Sequence, residues 1–146
     1  MKIAGFTIIK NAVTNDFPIV EAIRSILPVV DEMIVLIGDS TDDTIALIEA
    51  IGDPKIKIHH SIWNKNLRKG GVVLAVETDK AFQYIDASFD WAFYIQGDEC
   101  VHEDDLNGIL EDLKEHQENP EVEVILHTHS VYATILSQKY LVEGKL

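Results

Sequence analysis

Trp91-Ala92-Phe93-Tyr94-Ile95-Gln96-Gly97-Asp98-Glu99 is an aromatic, apolar run of strand length that ends in a glycine flanked by polar and acidic groups. A run of this form suits the C-terminal end of a buried parallel strand that delivers carboxylates to a crevice. Open α/β sheets bind their ligands at those strand ends. Asp98 and Glu99 are therefore candidate ligands for a hard divalent cation, which takes oxygen donors and keeps waters and phosphate oxygens in its other positions. The same residues also suit a plain polar turn before a helix, with Asp98 solvated.

Working outward, Ile3 to Ile9 is a short apolar, β-branched run, read as strand one, and it closes in Lys10-Asn11. Ile19, Ile23 and Ile26 then fall on one helical face, with Pro18 suited to the first turn and Pro28 stopping the helix near Leu27. Met33 to Ile37 is a second buried strand, followed by the turn Gly38-Asp39-Ser40. Ser40 and Asp43 have the spacing of a capping pair for a helix whose apolar stripe is Ile45, Ile48 and Ile51. Ile56 and Ile58 alternate with lysines, which predicts a third strand near an edge.

Residues 59–71 form a connection without periodicity, carrying Trp63, Asn64, Asn66, Arg68 and Lys69. Loops of this length inside compact domains are often functional. A helix follows, with Val73, Val76, Lys80 and Tyr84 predicted to share a face; Tyr84 and Phe82 are read as core or helix-surface residues. Beyond the Trp91 run, Glu103-Asp104-Asp105 places acids at the positive end of another helix, whose core stripe is Leu106, Ile109, Leu110 and Leu113. Val122, Val124 and Leu126 alternate as a fifth strand.

The alternation of strands and helices predicts an α/β three-layer sandwich: a mainly parallel sheet of order 3-2-1-4, right-handed crossovers, and helices on both faces. At 146 residues, 1–146 reads as a single domain able to bury a sizeable core. The 25 acidic against 12 basic residues give a formal charge of −13, which argues against nucleic acid and anionic membrane as partners. A phosphate-bearing ligand would then need local help from a metal, a helix N-terminus or a few basic side chains. No apolar run approaches the roughly 20 residues of a membrane helix, so no membrane insertion is expected. The lone Cys100 and the absence of a signal-peptide layout lead to the expectation of a cytoplasmic protein.

Three common α/β signatures are missing. There is no Gly-x-Gly-x-x-Gly after strand one and no Gly-Lys-Ser/Thr loop. Strand one ends in Lys10-Asn11 rather than a pair of acids, which speaks against a phospho-acceptor receiver. What remains is polar chemistry at three strand ends: Asn11, Asp39, and Asp98 with Glu99, neighbours in a sheet of order 3-2-1-4. Asp39 has a second reading, as support for its turn and the following helix. Arg68 and Lys69 are candidate diphosphate contacts or a solvated loop pair. His127 and His129 share a strand face and read better as half-exposed histidines than as a metal pair. His102 is a lesser candidate for the metal site.

These residues also resemble a known family. Ile34-Val35-Leu36-Ile37-Gly38-Asp39-Ser40-Thr41-Asp42-Asp43-Thr44 resembles the val-asp-asp-gly-ser-thr-asp-gly-thr segment of family 2 glycosyltransferases. Gln96-Gly97-Asp98-Glu99 resembles their Asp-x-Asp metal motif in a looser form. Asn66, Gly70-Gly71 and the helix with Ala75 are similar to the intervening loop and helix. The resemblance spans roughly residues 1 to 125.

The resemblance implies a GT-A fold, a nucleotide-diphosphate sugar as donor, and Mn2+ or Mg2+. It places Asp98 as the metal carboxylate with Glu99 beside it, and Asn11 and Asp39 around the nucleoside; Asn66, from the similar loop, and Arg68, from its charge in so acidic a chain, are the further nucleotide-site candidates. Ile37 stands where the family has its base-contacting Asp, and Gln96 where it has the first Asp of the metal motif. Family members also continue into a half that carries the acceptor site and catalytic base. The chain is thus expected to be a truncated, nucleotide-binding half, inactive alone, or a binding or assembly module that keeps the fold without the chemistry. A homodimer through the C-terminal segment is expected to cover its open sheet edge. Glu99 and Glu103 are the first residues to test should transfer occur.

Overall fold

A computed structural model describes residues 1–67, 69, 71–127 and 133–137 of the chain. Six strands form one sheet: β1 (Ile3–Ile9), β2 (Glu32–Ile37), β3 (Ile56–His60), β4 (Trp91–Tyr94), β5 (Val124–His127) and β6 (Ala133–Ser137). Among the described residues, the α-helices are α1 (Ile19–Ile26), α2 (Thr44–Glu49), α3 (Val72–Phe82) and α4 (Leu106–His116), the last preceded by a 3-10 turn at Glu103–Asp105. The sheet order is β3-β2-β1-β4-β6-β5. Its first four members are parallel in the expected order 3-2-1-4, and β6 runs antiparallel to both β4 and β5.

All seven residues of β1 are buried, Thr7 among them, which is why the strand shows no alternation of apolar and charged residues. Its alternate side chains enter two cores. On one face Ile3 and Ile9 join Met33, Val35, Ile37, Trp91 and Phe93 beneath Ile19 and Ile23 of α1, Ile48 of α2, and Ile109 and Leu113 of α4. On the other, Phe6, Ile8, Ile34 and Leu36 pack beneath Ala81, Phe82, Ile85 and Phe89, from α3 and the turns after it. Helices therefore cover both faces. Among the described residues, no helix is long and apolar enough to cross a membrane.

Three local expectations change. The fifth strand forms at Val124–His127, but not beside β4: β6 lies between them, so the β4 edge expected to be open is paired with Leu136, Ile135 and Thr134. No periodicity in the sequence announced a sixth strand. Tyr84 does not share the inner face of α3; that face runs through Glu77 and Ala81, four residues apart, and Tyr84 is exposed beyond the helix end. The Ser40–Asp43 capping pair also does not form, since Asp43 makes no side-chain cap bond.

Candidate functional site

Register sets the site. Phe6 lies opposite Tyr94, so the last residues of β1 run beside the turn that follows β4. Ile95 continues the pairing by donating its N–H to the Phe6 carbonyl at 3.2 Å. Gly97 fits because a Cβ there would come within 2.7 Å of Ile9 Cδ1. The two strand ends thus flank a cleft of about 460 Å³. Lys10, Asn11, Gln96, Gly97 and Asp98 line it from the strand ends. Aromatic and apolar walls come from Phe17, Trp63, Leu74 and Tyr94.

Asn11 holds the junction of β1 and β2. Its φ of 50° is a left-handed backbone value that Asn adopts more readily than most residues. Its N–H donates to Ser40 Oγ at 3.0 Å, and its Oδ1 accepts from the Thr41 N–H at 2.8 Å. Next along, Ala12 N donates to Thr44 Oγ1 and Thr14 N to Asp42 Oδ2, each at 2.8 Å. The Ser40-Thr41-Asp42 segment thus clasps the loop after β1, and Ser40, predicted to pair with Asp43 as a helix cap, serves that loop instead. Short polar side chains satisfy backbone groups wherever these lie, and here much of the demand is across the sheet.

Asp39 stands behind the cleft rather than in its lining. Its Oδ1 accepts from Lys10 Nζ at 2.7 Å and from the Trp63 N–H at 3.0 Å. The Lys10 hydrogen bond, then the Trp63 N–H, hold its carboxyl at about 2. Lys10 Nζ also lies 5.8 Å from the Trp63 ring centroid. Trp63 in turn sits over Gly38, where a Cβ would meet Nε1 at 2.5 Å.

Of the acids after β4, Asp98 is exposed and lines the cleft, whereas Glu99 turns back and accepts from the Gln96 N–H at 3.3 Å. Burial is the main cause that pushes the Glu99 carboxyl up, offset in part by that hydrogen bond, with the Asp98 charge adding to the rise. Asn66 is exposed and outside the cleft lining; its N–H donates to Asn64 Oδ1 at 2.9 Å. Lys69 is exposed and likewise outside the lining. Arg68 and His129 lie outside the described residues, as does the side chain of His127. His102 is taken up locally, its Nδ1 accepting from the Asp104 N–H at 3.2 Å.

The structure thus brings together Asn11 and Asp98, places Asp39 one residue behind them, and leaves Asn66 and Glu99 out of the cleft. Sequence reasoning missed Lys10, Phe17 and Tyr94 as cleft residues and saw Trp63 only as part of a loop. Lys10 carried a signal: it is the cation adjoining Asn11 at a strand end. Phe17 and Tyr94 carried none, because an aromatic residue beside a cleft has the same local pattern as one in a core.

The donor set suits a cation shared with a ligand rather than one caged by protein. Among the described residues, no three His, Cys, Asp or Glu side chains gather into a metal site. One carboxylate, Asp98, with Gln96 beside it, is enough where phosphate oxygens and water complete the shell.

This architecture is the GT-A fold of nucleotide-diphospho-sugar transferases. Residues 1-349 of S. aureus TarS in complex with UDP-GlcNAc superimpose with a TM-score of 0.64 at 14% identity, over 99% of this chain and 47% of that one. Glucosyl-3-phosphoglycerate synthase from Mycobacterium tuberculosis, in complex with Mg2+ and UDP, gives 0.58 at 18% identity, over 96% and 57%. The 4-diphosphocytidyl-2C-methyl-D-erythritolsynthase from Anaerococcus prevotii DSM 20548 gives 0.58 at 11%, over 97% and 72%. The chain spans about half the length of the TarS structure it matches. No family model matches the chain, and no curated protein sequence matches it. At these identities the likeness is one of fold, and the fold alone does not choose among chemistries.

Proposed function

We propose that this chain is the donor-binding part of a sugar-transferring enzyme and that its cleft takes a nucleotide-diphosphate sugar. The observation that carries this is the cleft at the ends of β1 and β4, which combines a carboxylate, a lysine and aromatic walls. Aromatic faces suit stacking of a base. Lys10 suits an anionic group in a chain of charge −13. Asp98 would hold Mn2+ or Mg2+ jointly with the diphosphate, and Gln96 would be a neutral neighbour to that ion. Such an ion neutralises charge on a departing diphosphate.

In this reading Asn11 shapes the wall beside the nucleoside, and Asp39 acts through Lys10 rather than by touching the base. Glu99 contributes to the ion only by turning away from the Gln96 N–H. Asn66 and Arg68 do not carry the reading. Single-domain organisation over 1–146 belongs to the same proposal.

Calorimetric titration with UDP and GDP, with and without Mn2+, tests it. Binding that strengthens with the ion and depends on Asp98 supports it; no binding at about millimolar nucleotide ends it. The second reading is a binding or assembly module that keeps the fold without transfer, favoured by the single carboxylate in the cleft. Nucleotide binding without sugar transfer to any acceptor, from the longest natural form of the chain, would select that one. Association of two copies would use the outer strand β5, where Val124 is exposed, since β6 already pairs the β4 edge. A monomer by light scattering at high concentration would exclude it.

A further inference from the structure

A nucleotide site selects its base through the donors and acceptors it presents to the base edge. In the reading proposed above, Asp98 marks the diphosphate end of the cleft, which leaves the base to the loop after β1 and to Trp63. Asn11, Asn15 and Phe17 line the cleft from that loop. Asn11 Oδ1 accepts from the Thr41 N–H at 2.8 Å, and Asn15 Nδ2 donates to the Asn11 carbonyl at 2.8 Å. The loop backbone has partners as well: the Asn11 N–H donates to Ser40 Oγ, the Ala12 N–H to Thr44 Oγ1, and the Phe17 N–H to the Ala12 carbonyl. The Asp39 carboxylate accepts from Lys10 and Trp63 and stays out of the lining.

Reading a base edge takes an adjacent donor and acceptor, which a side-chain amide supplies only when both its ends face the base. Asn11 and Asn15 each have one end held by backbone, so neither amide can do so. What the loop does present is a ring. Phe17 is 39% exposed in the cleft wall, and its backbone is anchored through Ala12 to the buried Thr44. Trp63, over Gly38, adds a second aromatic surface. Every base has a π face, so stacking on aromatic rings holds one base nearly as well as another. A site built on hydrogen bonds instead rejects a ligand lacking the matching group by about 10⁴-fold or more.

We infer that the cleft holds its base by stacking on Phe17 and Trp63 and accepts nucleoside diphosphates of uracil, cytosine, guanine and adenine alike. The inference rests on the nucleotide reading of the cleft and adds base tolerance to it.

Calorimetric titration of the full 146-residue chain with UDP, CDP, GDP and ADP, each with Mn2+, tests this. All four affinities should fall within about tenfold of one another. Phe17 is exposed, so Phe17→Ala leaves the core intact; it should weaken all four by about tenfold, the effect of one lost stacking contact. Phe17→Tyr keeps a ring and should retain the wild-type values. A spread wider than about tenfold overturns base tolerance while leaving the nucleotide reading in place. Unchanged affinities in Phe17→Ala, or an equal loss in Phe17→Tyr, overturn stacking in the same way. If none of the four binds, the nucleotide reading fails and this inference with it.

Discussion

Lys10 Nζ lies 2.7 Å from Asp39 Oδ1, so the cation at the end of β1 reaches the cleft already oriented by a carboxylate at the end of β2. Parallel pairing of β1 with β2 makes the two ends adjacent, and the Trp63 N–H on the same oxygen adds the loop after β3. Three chain segments are thereby tied to one carboxylate. A side chain held in this way loses less conformational entropy when it meets a ligand than a free lysine does.

Removing this cation should weaken anion binding selectively. Lys10→Met is expected to lower affinity for UDP by about tenfold, in line with the loss of one charge-assisted hydrogen bond. Uridine, which carries no phosphate, should be affected much less. Calorimetry with both ligands checks this, and equal losses for the two would mean that Lys10 does not read the diphosphate.

Asp98→Ala should remove the gain in UDP affinity that Mn2+ provides, a loss of about tenfold or more. Glu99→Gln should leave most of it, because Glu99 faces the Gln96 N–H. Titrations of both variants with and without the ion distinguish the two carboxylates. A reversed order of effects would transfer the ion to Glu99.

The Lys10–Asp39 contact acts as a latch, and the sign of its pH dependence follows from Asp39. Its pKa is lowered on folding, from 3.8 to about 2. A carboxylate of that kind contributes stability above its unfolded value and loses it as pH falls through the folded value. The contact with Lys10 should therefore persist at neutral and mildly acidic pH and open only as pH nears about 2. In Lys10→Met the Asp39 carboxyl should titrate closer to 3.8, since its largest lowering cause is gone. Carboxyl-carbon NMR reads both values; a wild-type Asp39 that titrates at 3.8 would show that the latch does not form.

Gly38→Ala should disturb the cleft without touching a ligand. The added methyl would fall 2.5 Å from Trp63 Nε1 and 2.8 Å from Cδ1, so the indole has to move. Overpacking of this kind costs about 1–3 kcal/mol. The fluorescence of Trp63, measured in a Trp91→Phe background, should shift towards the exposed range, and UDP affinity should fall with it. An unchanged spectrum would place the indole elsewhere.

The order β3-β2-β1-β4 was legible in the sequence because each of those strands is a compact apolar run whose neighbours are reached by helical crossovers. Asp98 was legible too, since a carboxylate directly after a buried strand sits at a strand end whatever else surrounds it. Local pattern determined the strands, their helical crossovers and the acid at the strand end. The insertion of β6 between β4 and β5 was not legible, because antiparallel pairing depends on which edge remains available once the parallel strands have assembled. The same holds for the site. Only the tertiary structure turns Glu99 away, seats Trp63 over Gly38, and joins Lys10 to a carboxylate 29 residues distant in sequence. Each of these depends on backbone approach between segments far apart in the chain, and no residue's immediate neighbours encode that distance.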